Sequence, residues 1–366
     1  MKSTPLPPPL TALAERISSE CTECRACQTR CAFLREHGTP KLMADLLLGK
    51  GQGRALAFEC SLCGLCETFC PMHLPLSDFF LSMRRAALDA GRVSLSPYRA
   101  LLNYEALGAS RLFRAFRLPP GGDTVFFPGC TFPGTSPATA IALFLHLQKC
   151  VPGLGLALDC CFKPSHDLGR QDFFEQHFGE LRTRFLARGV RTVLAACPNC
   201  FKMFSQYGDG LAVKTVYEAM AEYPLPARPH ARGPAIVHTP CPFRGQTSLQ
   251  EIILGCAQGS GLDVEKTRHD GSQSPCCGEG GAVGDLKPEN SSTWAMGTAE
   301  HAQGRIVITT CAGCVKALSP HARAVHLLDL LFFPAETLSN ALPRPRGTAV
   351  YLHRLLFKWR ARRILD

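Results

Sequence analysis

The chain has 366 residues, more than one comfortable core holds, so two or three domains are expected. Hydrophobic content of 46% and charged content of 19% exclude a disordered polymer, and a formal net charge of +10 leaves anionic lipid or an acidic redox partner as surface partners. No helix-turn-helix, zinc-finger or RNA-binding signature accompanies that charge, so nucleic acid is not expected as a partner. Met1 to Leu10 is Pro-rich without the apolar region of a signal peptide, and no run of 18 apolar residues occurs. A reduced, cytoplasmic setting follows, in which cysteines at short regular spacing bind metal or perform redox chemistry. Twenty cysteines are present.

In chain order, residues 1–18 read as a flexible arm running into a short helix. Two dense cysteine runs follow, Cys21 to Cys31 and Cys60 to Cys70. Between them Lys41 to Phe58 reads as helix, weakened by Gly49, Gly51 and Gly53. Leu76 to Ala90 is helical with Gly91 as C-cap, Tyr98 to Leu118 continues that character, and Pro119-Pro120-Gly121-Gly122 marks a boundary. The N-terminal third is therefore expected to be all-helical around cysteine loops. Beyond Gly122, Thr124–Phe127, Thr192–Ala196, Ala235–His238 and Ile306–Thr309 read as buried strands, each followed by a cysteine: Cys130, Cys197, Cys241 and Cys311. Parallel α/β units carry ligands at such strand ends. Tyr351 to Leu365 mixes apolar and basic residues and reads as a basic amphipathic helix for a membrane surface or a membrane subunit.

Cys21, Cys24, Cys27 and Cys31 are spaced C-x2-C-x2-C-x3-C, and Cys60, Cys63, Cys66 and Cys70 repeat the run with Pro71 next. This is the bacterial-type 4Fe–4S cluster run, written twice. Three cysteines at two-residue gaps wrap one loop around three corners of a cube, and the fourth cysteine of the other run supplies the last corner. Cys21, Cys24, Cys27 and Cys70 are thus assigned to one cluster, and Cys31, Cys60, Cys63 and Cys66 to the other. The competing reading is structural zinc, which takes four cysteines, usually in two CxxC knuckles, and fits two packed runs of four less well.

The second half repeats internally. Cys130, then Cys160-Cys161, then Cys197-Pro198-Asn199-Cys200 is followed by Cys241, Cys276-Cys277 and Cys311-Ala312-Gly313-Cys314. Corresponding cysteines lie 111, 116 and 114 residues apart. Only Cys150 and Cys256 fall outside all the sets and read as buried small hydrophobes.

These motifs over residues 123–330 resemble the cysteine-rich (CCG) domain of the heterodisulfide reductase catalytic subunit. The same domain occurs in iron–sulfur subunits of glycolate oxidase, anaerobic glycerol-3-phosphate dehydrogenase and lactate-utilisation systems. The resemblance implies that Cys130, Cys160, Cys161, Cys197 and Cys200 hold one noncubane 4Fe–4S cluster. It implies that Cys241, Cys276, Cys277, Cys311 and Cys314 hold another, at which a disulfide is cleaved, so these five are the candidate catalytic set. Copy two carries the family's Cys-Cys-Gly, whereas copy one reads Cys160-Cys161-Phe162, which leaves a cubane or zinc open there. Phe162 is expected to narrow the first site, and Gly278, Gly280 and Gly281 to keep the second open. His238 and His269 near the second motif, Glu279 after it and Lys163 after the first pair are further candidates, each more simply a structural or solvated side chain. Gly278-x-Gly280-Gly281 is no dinucleotide fingerprint, so flavin or nicotinamide would come from a partner.

The expected fold class is α+β multidomain: an all-α two-cluster ferredoxin-type domain followed by a duplicated α/β cysteine-rich domain. The expected layout is an arm (1–18), the two-cluster domain (19–80), a helical linker (81–122), two repeats (123–234 and 235–340) and a basic tail (341–366). The expected function is an electron-transfer and reductase subunit of the heterodisulfide reductase type, with a flavoprotein or a membrane cytochrome or quinone-reactive subunit as partner and a small thiol or disulfide as substrate. The alternative is a non-catalytic subunit carrying electrons from a flavin-dependent glycolate, lactate or glycerol-3-phosphate dehydrogenase to the quinone pool. A zinc-stabilised interaction module is the third reading. The setting is cytoplasmic, peripheral on the inner membrane face if partners or the basic tail hold it there.

Overall fold

The computed structural model describes residues 6–225 and 232–365. The first five residues of the expected arm lie outside them, and the helix that follows runs Pro8–Glu20. It packs Leu10, Ala14 and Ile17 against Met43 and Leu47 of helix Pro40–Lys50 and Phe79, Phe80 and Met83 of helix Leu76–Asp89. Pro40 at the first turn and Thr39 as N-cap, accepting from the Leu42 amide at 3.3 Å, start the middle helix. It stops at Lys50 rather than at Phe58, because Gly51 (φ 60°) and Gly53 (φ 85°) are left-handed, and a 3-10 turn, Arg54–Glu59, leads into Cys60.

The expected helix from Tyr98 to Leu118 is also shorter, spanning Arg99–Gly108. Its last third is instead a strand, β1 (Ala115–Arg117), pairing antiparallel with β3 at Ala115↔Leu158. Phe116 draws the segment into the sheet by packing on Phe185 at 5.8 Å and lying under Arg188. The all-helical expectation therefore fails at this edge strand.

The remainder is two parallel-rich sheets. The first contains β2 (Thr124–Phe127), β3 (Gly155–Leu158), β4 (Thr192–Ala195) and β5 (Ala212–Thr215) in the order β1-β3-β2-β4-β5. The second contains β6 (Pro234–His238), β7 (Asp263–Val264), β8 (Ile306–Thr309) and β9 (Ala324–His326) in the order β7-β6-β8-β9. Corresponding strands of the two copies thus occupy corresponding positions, and parallel pairing puts the carboxyl ends of β2–β5 together in the first sheet and those of β6–β9 together in the second. The mixed helix and sheet content matches the α+β expectation.

One apolar core runs through both sheets, joining Phe126, Phe144 and Leu194 to Ile253, Ile308 and Leu328. Asp329, buried in that seam, accepts from Thr139 (2.6 Å) and Ser136 (3.2 Å) of the other copy. The C-terminal helix, Ala349–Leu365, lies on helices Phe132–Thr135 and Pro137–Cys150 and buries Arg354, Phe357 and Ala361. Its outer face shows Leu352, Leu356 and Trp359 among arginines, with the Arg363 guanidinium 3.7 Å from the Trp359 ring. No described helix is long and apolar enough to cross a membrane.

Candidate redox centres

The two N-terminal loops are built alike. In the first, Glu23 and Arg25 take positive φ (53° and 59°) on either side of Cys24; in the second, Leu62 and Gly64 (51° and 68°) flank Cys63. Each left-handed non-glycine residue costs about 1 kcal/mol or more, a strain kept only where the surroundings fix it. The turns curl each loop around a hollow, and a helical turn then carries the third cysteine, Cys27 or Cys66. One hollow is lined by Cys21, Cys24, Cys27 and Cys70 with Leu74 and Leu76; the other by Cys31, Cys60, Cys63 and Cys66 with Phe80 and Trp294.

Burial and crowding set the protonation of these thiols. Burial, then the neighbouring Cys21 and Cys24, pushes Cys27 up to about 11, and burial with Cys63 beside it pushes Cys60 up to about 12. Most thiols gathered this closely in an apolar hollow hold their protons, whereas a hydrogen bond with Cys276 and the Arg244 charge hold Cys63 well below the usual thiol range. All-sulfur donors around an apolar hollow fit a cubane iron–sulfur cluster.

The first cysteine-rich set closes on itself. Gly129 (φ 78°) follows β2 and brings Cys130 in; a Cβ there would sit 3.0 Å from the Cys197 Cβ and 3.2 Å from the Cys200 Sγ. Cys197 is the N-cap residue of helix Pro198–Tyr207, so Cys200 lies in its first turn. Cys130 partners Cys160, Cys161 partners Cys200, and Cys200 partners Cys197, so all five thiols converge. Phe162 adopts the left-handed conformation (φ 54°) that Gly278 takes in copy two, and its buried ring stacks on His177 at 5.4 Å. The Tyr104 hydroxyl donates to the Cys130 carbonyl at 3.0 Å, and buried Arg354 lies over the Tyr104 and Phe113 rings with its charge felt at Cys130.

The second set is arranged differently. Cys277, Cys314 and Cys311 converge, with Cys311 as N-cap residue of helix Ala312–Leu318. Buried His238 joins them: a ring nitrogen and the Cys277 and Cys314 sulfurs all lie within 4.8 Å of one another. Cys241 is half-buried nearby, between the charges of Lys163 and Arg244, and the loss of solvent around its thiol pushes it up to about 12. Cys276 turns the other way, into the hollow of Cys31, Cys60, Cys63 and Cys66, where it meets the Ser61 Oγ at 3.3 Å.

The glycines after Cys277 also serve a different purpose from the open channel expected. A Cβ at Gly278 would lie 2.2 Å from the Ser291 carbonyl, at Gly280 2.4 Å from that of Ser61, and at Gly281 2.7 Å from that of Cys60. They permit close packing, against helix Pro288–Ala302 and against the N-terminal loop. Lys163 pairs with Asp167 and places its charge near both Cys161 and Cys241, so it stands between the two cysteine-rich sets. Glu279 is exposed and pairs with Lys316 at 3.3 Å, while His269 is a surface residue beside Arg30 and His301. Cys150 and Cys256 are half-buried and outside every set.

Three arginines complete the centres and were not singled out in the sequence. Arg84, fully buried, donates to the carbonyls of Ala57 (2.9 Å), Phe58 (3.3 Å), Cys60 (2.6 Å), Asp167 (2.7 Å) and Gly281 (2.9 Å). Arg244 donates to Cys63 O at 3.1 Å and Ser274 O at 2.9 Å. Arg84 carried one signal, a basic residue on the apolar stripe of Leu76, Phe80 and Met83; Arg244 and Arg354 carried none.

A family model described as a 4Fe-4S dicluster domain matches residues 20–75. A subunit of the fumarate reductase (CoM/CoB) of Methanothermobacter marburgensis is 26% identical over 335 residues, covering 80% of this chain and 66% of that protein. Lactate utilization protein B of Macrococcus caseolyticus is 28% identical over 102 residues, 25% of this chain and 21% of that protein. The uncharacterized electron transport protein YkgF of Escherichia coli is 30% identical over 92 residues, 22% of this chain and 19% of that protein. This chain thus spans just under two thirds of the methanogen relative and about a fifth of the other two. It contains a 4Fe–4S dicluster domain and is an iron–sulfur electron-transfer protein homologous to these proteins.

Proposed function

We propose that the chain is the electron-relay and reductase subunit of a heterodisulfide reductase-type complex. Electrons would be accepted from a redox partner at the N-terminal centres and delivered to the cysteine-rich sets. The observation that carries this reading is the junction itself: the Cys276-Cys277 turn lies against the second N-terminal hollow on one side and the Cys311/Cys314 set on the other.

When bound, two cubane clusters and one or two noncubane clusters would supply one-electron carriers. The chain's own residues do the rest. Cys21, Cys24, Cys27 and Cys70, and Cys31, Cys60, Cys63 and Cys66, would hold the cubanes, and the repeat cysteines the others, Cys276 excepted because its side chain faces the second N-terminal hollow. Lys163, between Cys161 and Cys241, offsets negative charge and would attract an anionic thiol or disulfide. Reduction of one disulfide to two thiols takes two electrons from the partner and two protons from solvent. The methanogen relative is a subunit of a fumarate reductase (CoM/CoB), which supports a multisubunit setting.

The test is metal analysis and EPR on anaerobically purified protein oxidised with candidate thiols. Iron well above eight per chain, as four 4Fe–4S clusters require, and a thiol-dependent paramagnetic signal are expected. An iron plateau near eight, with zinc making up the rest, refutes the reductase half. The match to a lactate utilization protein favours a second reading, a relay subunit for a flavin-dependent hydroxyacid dehydrogenase. Copurification with a flavoprotein, without any thiol-dependent signal, would select it. The setting we propose is cytoplasmic, with the Leu352–Trp359 face of the C-terminal helix turned toward a membrane or membrane subunit.

A further inference from the structure

Corresponding thiols in the two copies do different things. In copy one the first cysteine of the adjacent pair, Cys160, faces Cys130 of its own set. In copy two the corresponding Cys276 faces out of its set: its hydrogen-bonding partners are Cys63 and Ser61, both in the second N-terminal loop. It lines the same hollow as Cys31, Cys60, Cys63 and Cys66, giving that hollow five thiols where a cubane takes four.

The placement is built, not incidental. Gly280 and Gly281 allow the copy-two loop to approach the Ser61 and Cys60 carbonyls. Arg84 clamps the Cys60 carbonyl to the Gly281 carbonyl, and Arg244 ties the Cys63 carbonyl to that of Ser274, two residues before Cys276. Thr298 donates to the Cys276 carbonyl at 2.9 Å from the opposite side. All of these fix the Cys276 side chain against Cys63.

We propose that Cys276 is a positioning and tuning residue of the second N-terminal cluster, its thiol donating to the Cys63 sulfur. The Cys276–Cys277 peptide is then a direct covalent path from that cluster's surroundings to the Cys277/Cys311/Cys314 set. Hydrogen bonds to ligand sulfur raise a cluster's reduction potential and alter its spectrum. This rests on the reading of the N-terminal hollows as cubane sites.

The experiment is EPR-monitored redox titration of dithionite-reduced, anaerobically purified full-length protein, with iron counted in parallel. Cys276→Ala is expected to lower the midpoint potential and shift the g-values of one N-terminal cubane while both cubanes keep their iron. Ser61→Ala, which leaves every cysteine in place, should move the same signal by less, and Cys160→Ala should leave it unmoved. Cubane signals unchanged in Cys276→Ala overturn the proposal and leave the cubane reading standing. So does loss of about four irons with the N-terminal signals intact, which would make Cys276 a ligand of the second set alone. If the Ala variant fails to accumulate, an unmoved signal in Ser61→Ala overturns it. Wild-type protein without two cubane signals refutes the underlying reading as well.

Discussion

Arg84 offers the sharpest test of how the centres are held together. Its guanidinium serves five backbone carbonyls from three parts of the chain. Arg84→Met keeps most of the volume and removes every donor. Hydrogen bonds from a charged group contribute about 1.5–3 kcal/mol each, but summing five would overshoot, since the buried guanidinium also sheds its desolvation cost. Each buried carbonyl left unsatisfied costs about 1–3 kcal/mol, partly offset by the shed desolvation, so a loss of about 4 kcal/mol is expected, near 10³ in the equilibrium for opening the junction.

The assay is hydrogen exchange on the anaerobic, cluster-loaded protein. Amides at 57–60, 166–169 and 280–284 should lose protection together, by up to about 10³, while the β2–β5 core keeps its own. Arg84→Lys, with three donors and no fork, should recover part of the effect. Faster exchange confined to 57–60 would show that Arg84 only braces its own loop, and would refute the three-way clamp.

Gly169→Ala, whose Cβ would fall 2.8 Å from the Arg85 amide at φ 83°, should loosen the 166–169 contact alone, by about 2–4 kcal/mol in the same exchange experiment. Phe162→Gly relieves about 1 kcal/mol of left-handed strain but loses a buried ring, so the melt should show a net loss of about 2 kcal/mol; any gain in stability contradicts this. Arg354→Met removes a buried cation beside Cys130 and should lower the potential of the cluster we propose for the first cysteine-rich set by roughly 40–90 mV, about 1–2 kcal/mol, read by redox titration. His326 is held below its usual 6.5 by burial, and its Nδ1 accepts from the Leu328 amide at 3.2 Å. A depressed folded value means that the unfolded chain takes up the proton first. Stability should therefore be full above pH 6.5 and fall as pH drops through it, by at most about 1.4 kcal/mol per unit, and His326→Asn should flatten that slope in melts from pH 7.5 to 5.5.

Much of this was legible because cysteine spacing is a strong local signal and duplication doubles it. The four strands followed by cysteines were found from short apolar runs alone. Of the five strands not read, β5 is half exposed, β7 has two residues and β1 is an edge strand inside a stretch of helical composition, whereas β3 and β9 are short buried runs that were passed over. Helix ends were misplaced where glycine conformation decided them, at Gly51 and Gly53. The arginines were invisible because their partners are distant carbonyls: Arg84 reaches Asp167 across 83 residues and Gly281 across 197. No periodicity encodes such a contact.

The two copies share strand order and cysteine order, yet they diverge where the N-terminal module touches them. Copy one keeps a self-contained set of five thiols, covered by Tyr104 and the C-terminal helix through Arg354. Copy two gives its surface to the second N-terminal loop, and Gly280 and Gly281 are what that contact demands, since a single Cβ at Gly280 would collide with Ser61. Copy one has Phe162 at the corresponding turn, its ring packed on Phe173 and His177 of the same copy, so a side chain is accommodated there at the cost of one left-handed residue. The glycine of Cys-Cys-Gly thus answers to the Ser291 carbonyl within copy two, and Gly280 and Gly281 to the N-terminal loop, before any difference in what the two sets bind.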